Sequence, residues 1–344
     1  MKKTLKKVLA LSLALVTVLC LLTACGGNGE PEPSTEPAVT EPAEEAKVLK
    51  VLTLGHSLAL DCGHMLNMIA ATEGIGDYEE IVIGTLYYAG CSLNRHVNYL
   101  QNNSSEYKLY LSSTKTPDTP PTIMDAVTMQ TALKYDYWDI IVMQGGVFEI
   151  TEPGTFTNGN IQTIQDYANK NKRNPLAVFA WHMPWASPLD NTLRDTYPNT
   201  PNNYYTSYEK YNNDRTTFYK GITKCVSDHI LTDETFQFVI PTGTAMENAL
   251  SSYLEEADLH RDYVHSTDLA RVMNSYVWYC KLMGIEKLEG IKLDTIPVKF
   301  FKSTQGVTDR VLTEAEKNII LESVNNALAN PLQMTQSQYT QAPA

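Results

Sequence analysis

Five short apolar runs, separated by stretches of helical spacing, constrain this chain more than any other feature. They are Val48–Leu54, Ile81–Leu86, Trp138–Met143, Leu176–Trp181 and Phe236–Ile240. Continuous aliphatic and β-branched runs of this length read as strands buried on both faces, because a wetted face would impose polar residues at every second position. Helical spacing falls at 61–73, 121–134, 159–170, 206–229 and 266–283. Alternation on this scale predicts one α/β unit: three α/β/α layers around a doubly wound, mainly parallel, five-stranded sheet. No internal repeat at a fixed period competes with it.

The N-terminus is of another kind. Lys2, Lys3, Lys6 and Lys7 precede an apolar stretch from Val8 to Leu22, which ends Leu22-Thr23-Ala24-Cys25. A charged start, a short apolar core and small residues before a cleavage point define a secretory signal, and the stretch is short for a membrane span. The Leu-x-Ala-Cys ending resembles the lipobox of bacterial lipoproteins. That resemblance makes Cys25 a lipidated N-terminus and predicts a cell-membrane protein, lipid-anchored on the extracytoplasmic face. Residues 26–46, rich in Gly, Pro and Glu, lack the apolar side chains that would offset ordering, so they read as an extended tether. The expected organisation is a signal at 1–24, lipidated Cys and tether at 25–46, the α/β domain at 47–285, a C-terminal extension at 286–330 and a disordered polar tail at 331–344. In the extension, Thr313 and Glu316 have the spacing of a capping box at the start of a helix. Val298–Phe301 is a short strand or a packing segment.

Charge narrows the partners. Removing the four signal lysines and no acid takes the formal charge from −12 to −16, which argues against nucleic acid. The membrane is met through the N-terminal lipid only. After Cys25 only Cys62, Cys91, Cys225 and Cys280 remain, too few for a disulfide scaffold. Cys62–Cys91 is the pair to test for a bridge, and buried free thiols are the alternative.

In open parallel sheets ligands bind beyond the C-terminal strand ends, so chemistry is sought there. The first run leads to Gly55-His56-Ser57-Leu58, a Ser at a strand-to-helix turn where backbone N–H groups can stabilise negative charge. The second leads to Gly90-Cys91-Ser92, whose glycine allows close backbone approach. Gln144 ends the third and offers an amide donor. The fourth ends Trp181-His182-Met183-Pro184-Trp185, readable as an aromatic carbohydrate-facing wall or as a packed corner. Beyond the fifth lies Asp262-Tyr263-Val264-His265. An Asp three residues before a His can fix the tautomer of an imidazole that serves as base to a Ser. No spacing among His56, Asp61, Cys62, His64 and His96 matches a zinc pattern, so no metal and no cofactor are expected. His229 and His260 read as solvated.

Taken together, Leu54-Gly55-His56-Ser57, Gly90-Cys91-Ser92-Leu93, Phe238–Ala245 and Asp262-Tyr263-Val264-His265 resemble the SGNH (GDSL-type) hydrolase superfamily, in a bacterial branch of unknown function. The resemblance covers roughly 47–285 and implies a flavodoxin-like strand order. It implies Ser57 as nucleophile, His265 as general base and Asp262 as its orienting acid, with the Ser57 N–H and Gly90 as oxyanion donors. The superfamily's third block carries an Asn, and here Gln144 stands as its substitute. Gly145 and Val147 stand where the branch has a second Gln and a Ser, and His56 where Asn or Asp is common. The implied activity is a serine esterase removing acyl groups, chiefly acetyl, from carbohydrate or another small ester, with Trp181, His182 and Trp185 at the substrate. A glycan-binding lipoprotein that lost the chemistry is the alternative. A lipase-like activity would call for greasy lid segments, and the 186–205 insert is polar.

Overall fold

The computed structural model describes residues 47–147, 149–188, 209–297 and 309–343, without the side chain of His64. The signal, Cys25, the tether and Val298–Phe301 therefore lie outside the described residues.

All five apolar runs form strands, in the order predicted. They are β1 (Val48–Gly55), β2 (Glu80–Tyr87), β5 (Ile140–Met143), β6 (Val178–His182) and β7 (Phe236–Ile240). They pair in parallel as β2-β1-β5-β6-β7. Val51 and Val142 enter the core on one face, Leu52 and Ile141 the core on the other, so the centre of the sheet has no wet face.

Among the described residues the sheet has seven strands where five were expected. Tyr107–Ser113 (β3) adds antiparallel to β2, and Thr122–Val127 (β4) adds antiparallel to β3. β4 is the exposed edge and β3 beside it is mostly half-buried, and both carry polar residues, so neither has the continuous apolar signature. The helical reading over 121–134 is corrected in its first half. The helix α3 (Met129–Tyr135) begins only where the Thr128 hydroxyl caps it, accepting from the Thr131 N–H at 3.1 Å. Ala126 sits at φ +54° where the β3–β4 register shifts, a bulge of the kind that interrupts an exposed edge.

Helices cover both faces. One face carries α1 (Ser57–Glu73), α7 (Thr242–Leu250), α9 (Asp268–Met283) and α10 (Glu314–Ala329) over a core that includes Met65, Ile69, Val272 and Tyr276. The other carries α2 (Leu93–Gln101), α3, α5 (Asn160–Asn171) and α6 (Arg215–Cys225) over Leu133, Trp138, Ile164 and Phe218. Short helices α4 (Pro153–Thr157) and α8 (Glu256–Leu259) lie in connections. Each such fully buried side chain contributes about 1.5–3 kcal/mol. Cys62 belongs to the first core and Cys91 to the second. The sheet separates them, and all four thiols are free and buried.

The extension begins with a two-residue ladder, β8 (Thr295–Ile296) with β9 (Arg310–Val311). Thr313 and Glu316 form the expected capping box. The tail, expected to be disordered, lies along α7 instead. Thr335 N–H donates to Asn248 Oδ1 at 2.7 Å, Ser337 N–H to Ser251 Oγ at 2.8 Å, and Tyr253 N–H to the Tyr339 carbonyl at 2.9 Å. Its polar residues meet backbone and side-chain groups at the open end of a helix, a source of order that apolar content does not reveal. Among the described residues no helix is long and apolar enough to cross a membrane.

Candidate active site

Three neighbouring strands, β2, β1 and β5, bring three loops to one edge. Gly55 is level with Tyr87, and Leu54 with Met143, so Ser57, Gly90 and Gln144 emerge side by side. His56 closes β1 and caps α1. Its Nδ1 accepts from the Leu58 N–H at 3.4 Å while Nε2 lies 3.0 Å from the Gly145 carbonyl. That pairing assigns the proton to Nε2. Burial lowers the His56 pKa to about 4, with the Gly145 carbonyl opposing, so the ring is a neutral cap at ordinary pH. Ser57 is the first residue of α1, and its N–H has no intrahelical carbonyl to serve.

Gly55 makes room for Gln144. A Cβ at Gly55 would stand 2.8 Å from Gln144 Oε1, so the close approach requires glycine. Gln144 Oε1 accepts from the His56 N–H at 3.4 Å, and its buried Nε2 has no partner among the described residues. Gly90 is exposed at φ +58° in the turn closed by Cys91 N–H to the Tyr88 carbonyl at 3.2 Å. Glu149 joins these two loops, its Oε1 accepting from the Gly146 N–H at 2.7 Å and the Leu93 N–H at 2.6 Å.

The candidate base arrives from far along the chain. His265 Nε2 lies 2.8 Å from Ser57 Oγ. Its Nδ1 lies 2.9 and 3.0 Å from the two Asp262 oxygens. Asp262 Oδ1 also accepts from the N–H groups of Val264 and His265, at 2.9 and 2.8 Å. Burial alone would raise the Asp262 pKa, but the His265 imidazole and the two N–H groups bring it down to about 2. A carboxylate so fixed holds the proton on Nδ1 and leaves the Nε2 lone pair facing the serine hydroxyl. The side chains of His265 and Asp262 keep 25% and 32% of their surface exposed, so the triad opens to solvent.

A model of the domain of unknown function DUF4886 matches residues 50–303. The chain belongs to the DUF4886 family. A DUF4886 family protein from Bacteroides uniformis shares 21% identity and the fold, with a TM-score of 0.67 over 86% of this chain and all of that one. Weaker likenesses are to a candidate SGNH hydrolase from Slackia heliotrinireducens (15% identity, TM-score 0.40, 68% of this chain and 98% of that one) and to a lipase from a goat rumen metagenome (11% identity, TM-score 0.37, 69% and 98%). No curated protein matches the sequence.

Within this DUF4886 chain the aromatic wall does not form. Trp181, His182 and Trp185 are each no more than 1% exposed. Trp181 packs edge-on against Phe236 at 5.7 Å, and Trp185 Nε1 donates to the Val264 carbonyl at 2.8 Å. Thr242 Oγ1 donates to the Met183 carbonyl at 2.9 Å and so accepts from His182 Nε2 at 2.8 Å. Hydrophobic burial outweighs any gain from presenting indoles to water; these residues are core. His260 is also buried, not solvated, while His229 is half-exposed and stacks on Phe156 at 5.5 Å. Among the described residues no cluster of His, Cys, Asp and Glu could hold a metal. The His64 side chain of the zinc alternative lies outside the described set.

Sequence reasoning weighed Asp61 only as a metal ligand and missed Arg261, Arg271 and Glu149, which bond to Asp61 or to the site's loops. One signal pointed to Asp61: it follows Ser57 by four residues, on the same helix face.

Proposed function

We propose that this chain is an extracytoplasmic serine ester hydrolase that removes acyl groups, chiefly acetyl, from carbohydrate. The observation that carries the hydrolase reading is the unbroken hydrogen-bond line Ser57 Oγ–His265 Nε2–His265 Nδ1–Asp262, at 2.8 and 2.9 Å. In the first step Ser57 Oγ bonds to the ester carbonyl carbon as its proton passes to His265 Nε2. The carbonyl oxygen then carries the negative charge, beside the N–H groups of Ser57 and Gly90 and the unpartnered Nε2 of Gln144. Collapse breaks the bond to the alkoxy oxygen, which leaves as the alcohol with the proton from His265. Water, deprotonated by the same imidazole, releases the acid and restores Ser57.

Two observations support the finer reading. The Lys2–Cys25 pattern, read as a lipoprotein signal, supports an extracytoplasmic location, where acylated surface glycans are accessible esters. Half-buried Tyr87 and Tyr88 lie just before Gly90, with the Arg95 guanidinium 5.1 Å from the Tyr88 ring, amphipathic rings of the kind that meet sugars.

Purified protein is tested on p-nitrophenyl acetate and on acetylated oligosaccharide beside Ser57→Ala. Equal turnover by both proteins sinks the hydrolase reading; acetate release from the simple ester alone sinks the carbohydrate one. Cys25→Ala should move the protein out of the membrane fraction, and unchanged fractionation defeats the lipid-anchor assignment.

A further inference from the structure

Asp61 is the most heavily bonded carboxylate near the site, and the acyl-transfer scheme does not use it. It lies one helical turn after Ser57 on α1 and is 3% exposed. Its Oδ1 accepts from Arg271 Nε at 3.0 Å and from the Arg271 terminal nitrogen at 2.9 Å. Arg261 reaches both oxygens at 3.3 Å. Ser266 gives its N–H and its hydroxyl to Oδ2, each at 3.2 Å. Burial would push the Asp61 pKa up, but Arg271 and Arg261 hold it below the ordinary carboxylate value, so it stays ionised.

The donors come from telling places. Arg261 and Ser266 immediately flank the Asp262–His265 loop. Arg261 also ties the loop to itself: its N–H donates to the His265 carbonyl and its guanidinium to the Ser266 carbonyl, both at 2.9 Å. An isolated bridge between His260 and Ser266 closes the neck. Both ends of the loop that carries the base are thus fastened to a carboxylate on the helix that carries the nucleophile. Arg271, on α9, clamps the same carboxylate from behind and leans on Asp268 at 3.0 Å.

We propose that Asp61 is a positioning residue that sets the Ser57–His265 separation, by fastening Arg261 and Ser266 to the helix of Ser57. This rests on the hydrolase reading for its catalytic consequence, but not for its geometric one. A short serine–imidazole contact tolerates little drift, since a displacement of about 1 Å costs on the order of 10²-fold in rate. Asp61 touches neither substrate nor reacting atom in this scheme; it acts through the loop.

The test uses the full chain with Asp61→Asn, Arg261→Gln and Ser266→Ala, read in two ways. The first is kcat and KM on p-nitrophenyl acetate. The second, independent of turnover, is the proton NMR resonance of the His265 Nδ1–H in its bond to Asp262. Asp61→Asn should lower kcat roughly 10²-fold with KM little changed, and should broaden or shift that resonance. Arg261→Gln and Ser266→Ala should do the same to a smaller degree. Asp61→Asn removes one of the two carboxylate charges that the buried Arg271 faces and leaves it Asp268; should it fail to fold, the other two variants decide, because they leave the Asp61–Arg271 pair whole. Variants that melt like the wild type and keep both kcat and the resonance overturn the proposal. A wild type that neither hydrolyses esters nor reacts with a fluorophosphonate overturns the hydrolase reading alone, and the resonance still reports whether Asp61 holds the loop.

Discussion

Two segments at the same edge of the sheet look alike in sequence and have opposite fates. Trp181–Trp185 leaves β6 with a histidine between two indoles; Asp262–His265 sits beyond β7 with a histidine beside a tyrosine and an acid. The first is core, with His182 and both tryptophans buried. The second keeps a quarter of the His265 side chain in water and points it at Ser57. They even touch, since Trp185 Nε1 holds the Val264 carbonyl. The difference teaches that aromatic richness near a strand end measures the need for packing, while a short-range acid–imidazole pair measures chemistry. An indole gains most by leaving water; a carboxylate gains most by keeping a charged or donor partner near the surface.

The contrast can be broken most severely at the triad. Ser57→Ala or His265→Ala should lower kcat on p-nitrophenyl acetate by about 10⁶-fold, whereas His182→Gln should leave kcat within a few-fold. Loss of activity in His182→Gln comparable to that in His265→Ala would erase the distinction. Asp262→Asn should cost roughly 10⁴-fold, because an amide no longer holds the proton on Nδ1; a kinetic assay showing a loss of tenfold or less would remove Asp262 from its role. Gln144→Ala should cost about 10²–10³-fold if its Nε2 serves the oxyanion, and an unchanged kcat would reassign it to packing.

Smaller effects sharpen the core side. Trp185→Phe strands the Val264 carbonyl and should cost about 1–3 kcal/mol of stability in urea titration, with a modest fall in kcat as the base loop loosens. The same stability with full activity would mean the Trp185 contact is incidental. Burial depresses the pKa of His56 to about 4 and of His182 to about 3, with proximity to other histidines adding to the fall. These rings are neutral in the native state, so their contribution is complete above the ordinary value of 6.5. It is lost as the pH falls from 6.5 through about 4 and then about 3. The urea midpoint should decline over that window, less steeply in His182→Gln; an identical slope would show that His182 does not titrate with unfolding.

What the sequence determined by itself is what short-range pattern encodes. Short continuous apolar runs between helical stretches read as strands buried on both faces, so β1, β2, β5, β6 and β7 were legible as strands, while their order in the sheet was implied by the family resemblance. Asp262 and His265 were legible as a unit because they lie three positions apart, and the capping box at Thr313 because its spacing is fixed by helix geometry. The tertiary structure decided the rest. β3 takes its strand character from pairing with β2, and β4 from pairing with β3, at an edge that no local pattern announces. The tail after Pro331 is ordered by the end of α7. Trp181 and Trp185 are core because two layers close over them, and composition is blind to which side of a layer a side chain meets. Asp61 meets Arg261, Ser266 and Arg271 across some two hundred positions. Only the closed fold makes that carboxylate the point to which the base loop is tied, because fixing such distant groups requires the packed core as a frame.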